Sequence, residues 1–322
     1  MRRPLASTAL LAALALTTPA ALGQAWPAKP LRMIVPQATG SAPDVVARVI
    51  CERLAQALGR PVIVDNRAGD GSIGAQAAAR AAPDGYTWFF APASVLVISP
   101  YVSALVPYSP EDDFEAVAMV GVSPLVIAAN PEVNVKSLPD LITLAREAPG
   151  RLAYASPGVR TLPGLLGEMI KARAQIDLMQ VPYRGAQGVQ DTIAGRTHIT
   201  VQGIPAVAAA VRSGQLRALA VSSPKRLPEL KDVPTVSETF PGFEFNGWFA
   251  VVAPAGTSRA AIQRVNQEMN SMLLDPQVEQ RLRAMGVYTE GTDSPEQVDA
   301  FFTRERAFWA KTVRELKIEP EQ

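Results

Sequence analysis

The chain has 322 residues, 48% of them hydrophobic and 19% charged, and its 31 basic side chains nearly balance 30 acidic ones. That balance, with no basic stripe in the sequence, excludes the electrostatic footprint of a nucleic-acid-binding protein. One cysteine and one histidine exclude an internal disulfide framework and any metal site built on Cys and His spacing.

The first 25 residues read as a cleavable secretory signal: Arg2-Arg3, a largely apolar run from Leu5 to Leu16, then small residues, with cleavage after Gly23 or Ala25. The run is too short to span a bilayer, and no other stretch approaches the roughly 20 apolar residues a membrane helix needs. The paired arginines lack a preceding Ser or Thr and are followed by Pro4, which argues against a twin-arginine signal. The mature chain is therefore expected to be exported and soluble. It keeps 29 basic against 30 acidic residues, and its size favours two domains.

Strand and helix signals then alternate. Leu31–Pro36 is β-rich, the spacing of Val45, Val46, Val49, Ile50, Leu54 and Leu58 predicts a helix over 43–58, and Pro61–Asp65 is the next strand. Cys51 lies in that helical pattern as a half-buried structural thiol, with an intermolecular disulfide as the other reading. A glycine-rich turn, a helix near 73–82, turn chemistry at Pro83-Asp84-Gly85 and a strand at Tyr86–Phe90 follow. A second block runs strand Leu125–Ala129, helix Ser137–Ala148, strand Leu152–Ala155 and helix Pro163–Ala172. It continues with strand Leu178–Tyr183, helix Gly188–Ala194, strand Ile199–Gln202, helix Pro205–Ser213 and strand Leu216–Ser222. Pro224–Pro241 reads as a linker, Trp248–Ala253 as a strand, and helices over 259–274 and 295–316 close the chain. The alternation predicts an α/β protein of mostly parallel sheets flanked by helices. Leu125–Ala129 and Trp248–Ala253 bracket the middle block as candidate crossings between two lobes. The expected division is 26–124 plus 233–322 for one lobe and 125–232 for the other, with a ligand in the cleft between them.

Three strand-to-helix junctions carry the candidate chemistry. In the first, Gln37, Ala38, Thr39, Gly40 and Ser41 let backbone N–H groups face a ligand at a helix N-terminus, which favours an anion. Asp44 either faces a ligand amine or hydroxyl or completes a capping box with Ser41. In the second, Ser156 and Thr161 offer hydroxyls, Gly158 allows close approach, and Arg160 either forks onto a carboxylate or is solvated at the loop tip. In the third, Tyr183-Arg184-Gly185 precedes Gln187 and Asp191; Tyr183 is a ligand contact or packing, and Asp191 a ligand contact or helix surface. Gly69-Asp-Gly-Ser-Ile-Gly74 matches a dinucleotide fingerprint but lacks the acidic strand end about 20 residues on, so no nicotinamide or flavin is expected. His198 sits at a strand start and no Gly-x-Ser-x-Gly elbow occurs, which leaves nothing that points to an enzyme.

Taken in order, Trp26-Pro-Ala-Lys-Pro-Leu-Arg32, the first loop ending at Asp44, Leu58-Gly-Arg-Pro-Val-Ile-Val-Asp-Asn66, Ala68-Gly-Asp-Gly-Ser-Ile-Gly74 and Pro83-Asp-Gly-Tyr-Thr87 form a set. Tyr183-Arg-Gly185, Asp232-Val-Pro-Thr-Val236 and Ala253-Pro-Ala-Gly-Thr257 complete it. The set resembles the Bug-type receptors of the tripartite tricarboxylate transporter family along the whole mature chain.

The resemblance implies a type II periplasmic-binding-protein fold with two strands crossing between its lobes, no cofactor, and a periplasmic location. It implies a small carboxylate ligand (dicarboxylate, amino acid or aromatic acid) held by loop backbone and waters, and a monomer that serves membrane permease subunits. A sensor kinase is the alternative partner. By position it assigns ligand contacts to Gln37 to Ser41 with Asp44, to Ser94, and to Ser156 to Thr161, Val159 included. The chain departs from the family pattern at the first loop, usually aromatic-Pro-Pro-Gly-Gly, at the second, usually Ser-Gly-Asn-Gly-Ser-like, and at Arg67–Gly71, usually Pro-Gly-Ala-Gly-Gly. Ligand identity therefore does not follow from the resemblance.

Overall fold

The computed structural model describes residues 26–69, 71–158, 161–243, 245–289, 293–315 and 320. The expected signal segment, Val159 and Arg160 lie outside them. The first block follows the sequence closely: β1 (Leu31–Val35), α1 (Ala42–Leu58), β2 (Val62–Asn66), α2 (Ser72–Ala79) and β3 (Thr87–Pro92). The apolar stripe of α1 is buried at Val46, Val49, Ile50, Leu54 and Leu58. Cys51 is buried there too, more deeply than its pattern suggests, and burial pushes its thiol up to about 12. After β3 the chain forms a π-helical turn (Ser94–Ile98) and a short α3 (Ser99–Val102). That segment is wholly apolar between its two serines, and its periodicity separates neither helix from strand.

The largest departure from the expected elements is β4 (Phe114–Ala129), a 16-residue strand of which only the last five residues were legible. Gly121, Ser123 and Pro124 look like breakers in sequence. In the fold they lie at an irregularity in the pairing, Met119/Gly121, and at the point where β4 exchanges partners. The second block then runs α4 (Leu138–Glu147), β5 (Ala153–Ser156), α5 (Leu162–Ala174), β6 (Met179–Pro182) and α6 (Gln187–Ile193). It ends with β7 (Ile199–Gly203), α7 (Ile204–Arg212) and β8 (Arg217–Val221).

The expected linker is partly ordered by its own side chains. It holds a 3₁₀ turn at Pro228–Leu230 and α8 (Val236–Thr239), fixed by a capping box between Thr235 and Glu238. Arg226 donates to both Glu238 oxygens, at 2.8 and 2.6 Å. The chain closes with β9 (Asn246–Pro254), α9 (Arg259–Leu273), α10 (Pro276–Ala284) and α11 (Pro295–Glu315). Of these only α10 was not foreseen.

The sheet order is β2-β1-β3-β9-β4-β7-β5-β6, with β8 also on β4. The crossovers place β1 parallel to β2 and β3, and β5 parallel to β6 and β7. β9 runs antiparallel to β3 and β4, and β4 antiparallel to β7 and β8. Both halves of the sheet are therefore mixed rather than mostly parallel, because the long β4 returns through each. It pairs with β9 from Phe114 to Pro124 and with β7 from Leu125 to Ala129. β9 itself stays with β3 and the first part of β4, so of the two candidate crossings only β4 takes partners on both sides. Helices pack on the sheet, and Trp88, Phe89 and Phe90 of β3 are all fully buried, as expected for a strand covered on both faces.

Candidate functional site

A cavity of about 500 Å³, counting the solvent at its mouth, opens beside the partner exchange in β4. Its wall includes Ser41, Ala42 and Pro43 at the start of α1, Leu162 and Pro163 at the start of α5, and Gly203 at the N-cap of α7. Each of these helices has a proline in its first turn, where the missing N–H costs nothing and the ring presets the backbone. First-turn N–H groups have no acceptor within the helix. Three helix N-termini in one cavity therefore present donors and positive dipole ends to whatever fills it.

The remaining wall is apolar or neutral: Pro92, Ala93, Ser94, Ser123, Leu125 and Gln202, with Trp248 and Phe249 of β9. Trp248 is held rigidly. Its indole N–H donates to Glu305 at 2.9 Å, and its ring stacks on Phe302 at 5.2 Å. No charged side chain lines this cavity among the described residues.

The sequence-derived candidates divide into three groups. Gln37, Ser41 and Ser94 line the cavity. Ala38 lies in a smaller recess beside it, with Gln37, Ser41, Gly69, Pro157, Tyr183, Arg184 and Gly185. This recess is where the rims meet: a side chain on Gly185 would come within 2.6 Å of the Thr39 carbonyl, and one on Gly40 within 3.0 Å of the Ala186 methyl. The loops can approach this closely only because both positions are glycine, each at positive φ.

The second group has its polar atoms engaged elsewhere. Asp44, 2% exposed, accepts from Gly40 N (2.8 Å), Arg48 Nε (3.1 Å) and Asn66 Nδ2 (3.0 Å). It braces the first loop from behind rather than facing a ligand amine. It also does not complete a capping box, since Ser41 makes no side-chain cap bond. Thr39 Oγ1 lies 3.4 Å from Asn66. Ser156 accepts from Gln180 Nε2 (2.7 Å) and Gly158 N (3.2 Å). Thr161 caps α5 by accepting from Gly164 N and donates to the Gly158 carbonyl. Asp191 holds Arg196 at 2.6 Å, and that contact, then Tyr183, keeps its carboxyl below the usual carboxylate range. Gln187 is exposed at the start of α6 and lines neither cavity. Val159 and Arg160 form the third group, outside the described residues.

Ser123, Gln202 and Trp248 were not foreseen. Gln202 ends a strand that was legible, and the strand-end rule applied there would have found it. Ser123 sits inside an apolar run, where a lone serine carries no signal. Two hydroxyls in the cavity are left over: Ser41 Oγ and Ser123 Oγ are buried and meet no partner among the described residues. An unmet buried hydroxyl costs about 1–3 kcal/mol, a cost that a polar ligand would remove. His198 is accounted for locally, since its Nδ1 accepts from Ala153 N at 3.0 Å.

The chain as a whole resembles known proteins. Residues 46–317 match the sequence profile described as the tripartite tricarboxylate transporter family receptor. BugT of Bordetella pertussis is 37% identical over 294 residues, 90% of this chain and 90% of BugT. Among solved structures, the periplasmic binding protein BugD has a TM-score of 0.88 at 28% identity, covering 92% of this chain and 100% of BugD. An R. palustris protein solved with adipate has the same TM-score at 30% identity, covering 92% of this chain and 100% of that one.

Proposed function

The chain belongs to the tripartite tricarboxylate transporter receptor family, a family of solute receptors rather than enzymes, and from that premise we propose that its cleft captures a small organic carboxylate for uptake. The observation that carries this reading is the convergence of three helix N-termini and two unpartnered hydroxyls on a cavity without a charged side chain. A carboxylate placed there gains hydrogen bonds aimed along helix dipoles. A cation would meet the positive ends of those dipoles. The ammonium of an amino acid would find no carboxylate among the described lining residues, because Asp44 is engaged by Arg48 and Asn66. Unsubstituted carboxylates are therefore favoured over amino acids, and adipate in the R. palustris complex is a ligand of this chemistry.

The lobes of this reading are 26–124 with 233–322, and 125–232, hinged where β4 changes partners between Pro124 and Leu125. Ligand bridges the helix starts and holds the rims of Gly40 and Gly185 together. The closed receptor, exported by residues 1–25, then presents both lobes to a membrane permease. Among the described residues no helix is long and apolar enough to cross a membrane.

A thermal-shift panel of mono-, di- and aromatic carboxylates and amino acids tests this. A ligand at 100 times its dissociation constant adds about 2.7 kcal/mol of stability, a shift of several degrees. The expected result is a carboxylate hit with amino acids silent. Stabilisation by amino acids alone would sink the anion-only reading of the cavity.

A further inference from the structure

The serine of the crossing strand has no structural employment. Ser123 is 2% exposed and lines the main cavity, yet its Oγ meets no partner among the described residues. It stands opposite Gly247, at the last positions of β4 that pair with β9 and just before those that pair with β7. A nearby backbone group that could have used a hydroxyl already has one: Leu125 N donates to Ser222 Oγ at 2.8 Å. Small apolar residues serve elsewhere along β4, at Ala116, Ala118, Ala128 and Ala129, so a hydroxyl is not what this strand needs to pack. Apolar neighbours in the cavity wall, Leu125, Leu162 and Phe249 among them, strengthen any hydrogen bond it makes. Ser41, the other unmet hydroxyl, belongs to the α1 terminus instead.

We propose that Ser123 is a specificity-determining residue whose hydroxyl donates to a second carboxylate of the ligand at the floor of the cleft, while the first carboxylate is held at the helix starts. The inference rests on the carboxylate-receptor reading and goes beyond it by selecting diacids over monoacids through one named side chain. Because the crossing strand carries the hinge, the same bond ties ligand to the segment about which the lobes move.

The test is calorimetric titration of the mature protein with matched acids: succinate against butyrate, adipate against hexanoate, and terephthalate against benzoate. Wild type binds at least one diacid about tenfold or more tightly than its monoacid. Ser123→Ala narrows that ratio by about tenfold, the effect of one charge-assisted hydrogen bond. An unchanged ratio in S123A overturns the assignment, as does a monoacid matching its diacid in every pair; both leave the receptor reading standing. Failure of every acid to bind removes the receptor reading together with this one. The melting temperature without ligand supplies the control: loss of an unpartnered hydroxyl leaves it unchanged or raises it. A fall would mean that Ser123 supports the fold, and would overturn the proposal.

Discussion

The starts of α1 and α5 face the same cavity, and each has a hydroxyl residue at its N-cap, but the two spend their polar atoms differently. At α5, Thr161 caps the helix by accepting from Gly164 N and steadies the loop by donating to Gly158, while Ser156 is tied to Gln180. At α1, Ser41 makes no cap bond, and the loop is steadied from behind by Asp44 through Gly40 N, Arg48 and Asn66. One loop is braced by its own hydroxyls and offers mainly backbone. The other is braced by a buried carboxylate, which leaves its hydroxyl free for a ligand. Two strand-to-helix junctions thus reach opposite ends because the neighbouring strand's amide goes to a carboxylate in the first, Asn66 to Asp44, and to a loop hydroxyl in the second, Gln180 to Ser156.

Four substitutions sharpen or break this contrast. The largest effect is expected for Asp44→Ala, which strands Gly40 N, takes one of two acceptors from the Asn66 amide and removes the ion-pair partner of Arg48. Urea unfolding should show a loss of about 3 kcal/mol. A loss under about 1 kcal/mol would mean that the first loop does not depend on the brace.

Ser41→Ala should leave unfolding free energy unchanged or slightly higher, since no cap bond is lost. Its affinity for the cognate carboxylate should fall about tenfold, or about 1.4 kcal/mol. Calorimetry showing full affinity would place that hydroxyl outside the binding set.

Thr161→Ala should behave in the opposite sense. Removing a working N-cap costs about 1 kcal/mol of stability, measurable as a lower urea midpoint. Equal unfolding energies for S41A and T161A would erase the distinction between the two junctions.

The smallest effect concerns the third junction and appears only in acid. Arg196, and then Tyr183, hold the Asp191 carboxyl below its ordinary range. Its stabilising contribution is therefore present above the ordinary aspartate value of about 4 and is lost as pH falls through the depressed one. Asp191→Asn should flatten the loss of stability between about pH 5 and pH 2, read from urea midpoints across that range. An acid limb identical to wild type would show that the pair does not survive in solution.

The block from β1 to β3 was legible because its helix stripe and strand runs are local patterns bounded by glycine and proline. The length of β4 was not, because Gly121, Ser123 and Pro124 are breakers by local rules and are accommodated here where the pairing is irregular and the strand changes neighbours within the sheet. The linker hid α8 for a related reason: its Thr235–Glu238 box is a local signal, but it sits among prolines and charges that read as loop. The site divides along the same line. Gln37, Ser41 and Ser94 were found as a strand-end loop or by family position, whereas Ser123 and Trp248 enter the cavity from strand interiors, where nothing distinguishes them from core.

By itself the sequence determined the family, the α/β alternation, the strand-to-helix junctions and the near-neutral charge, since each depends on residue order or on spacing over a few turns. Tertiary structure alone decided which hydroxyls stayed free. Thr161 finds its partners within its own turn, but whether Ser41, Ser123 or Ser156 is engaged depends on groups tens of residues away, such as Asn66 behind the first loop and Gln180 beside the second. A hydrogen bond constrains positions in space that no local pattern records.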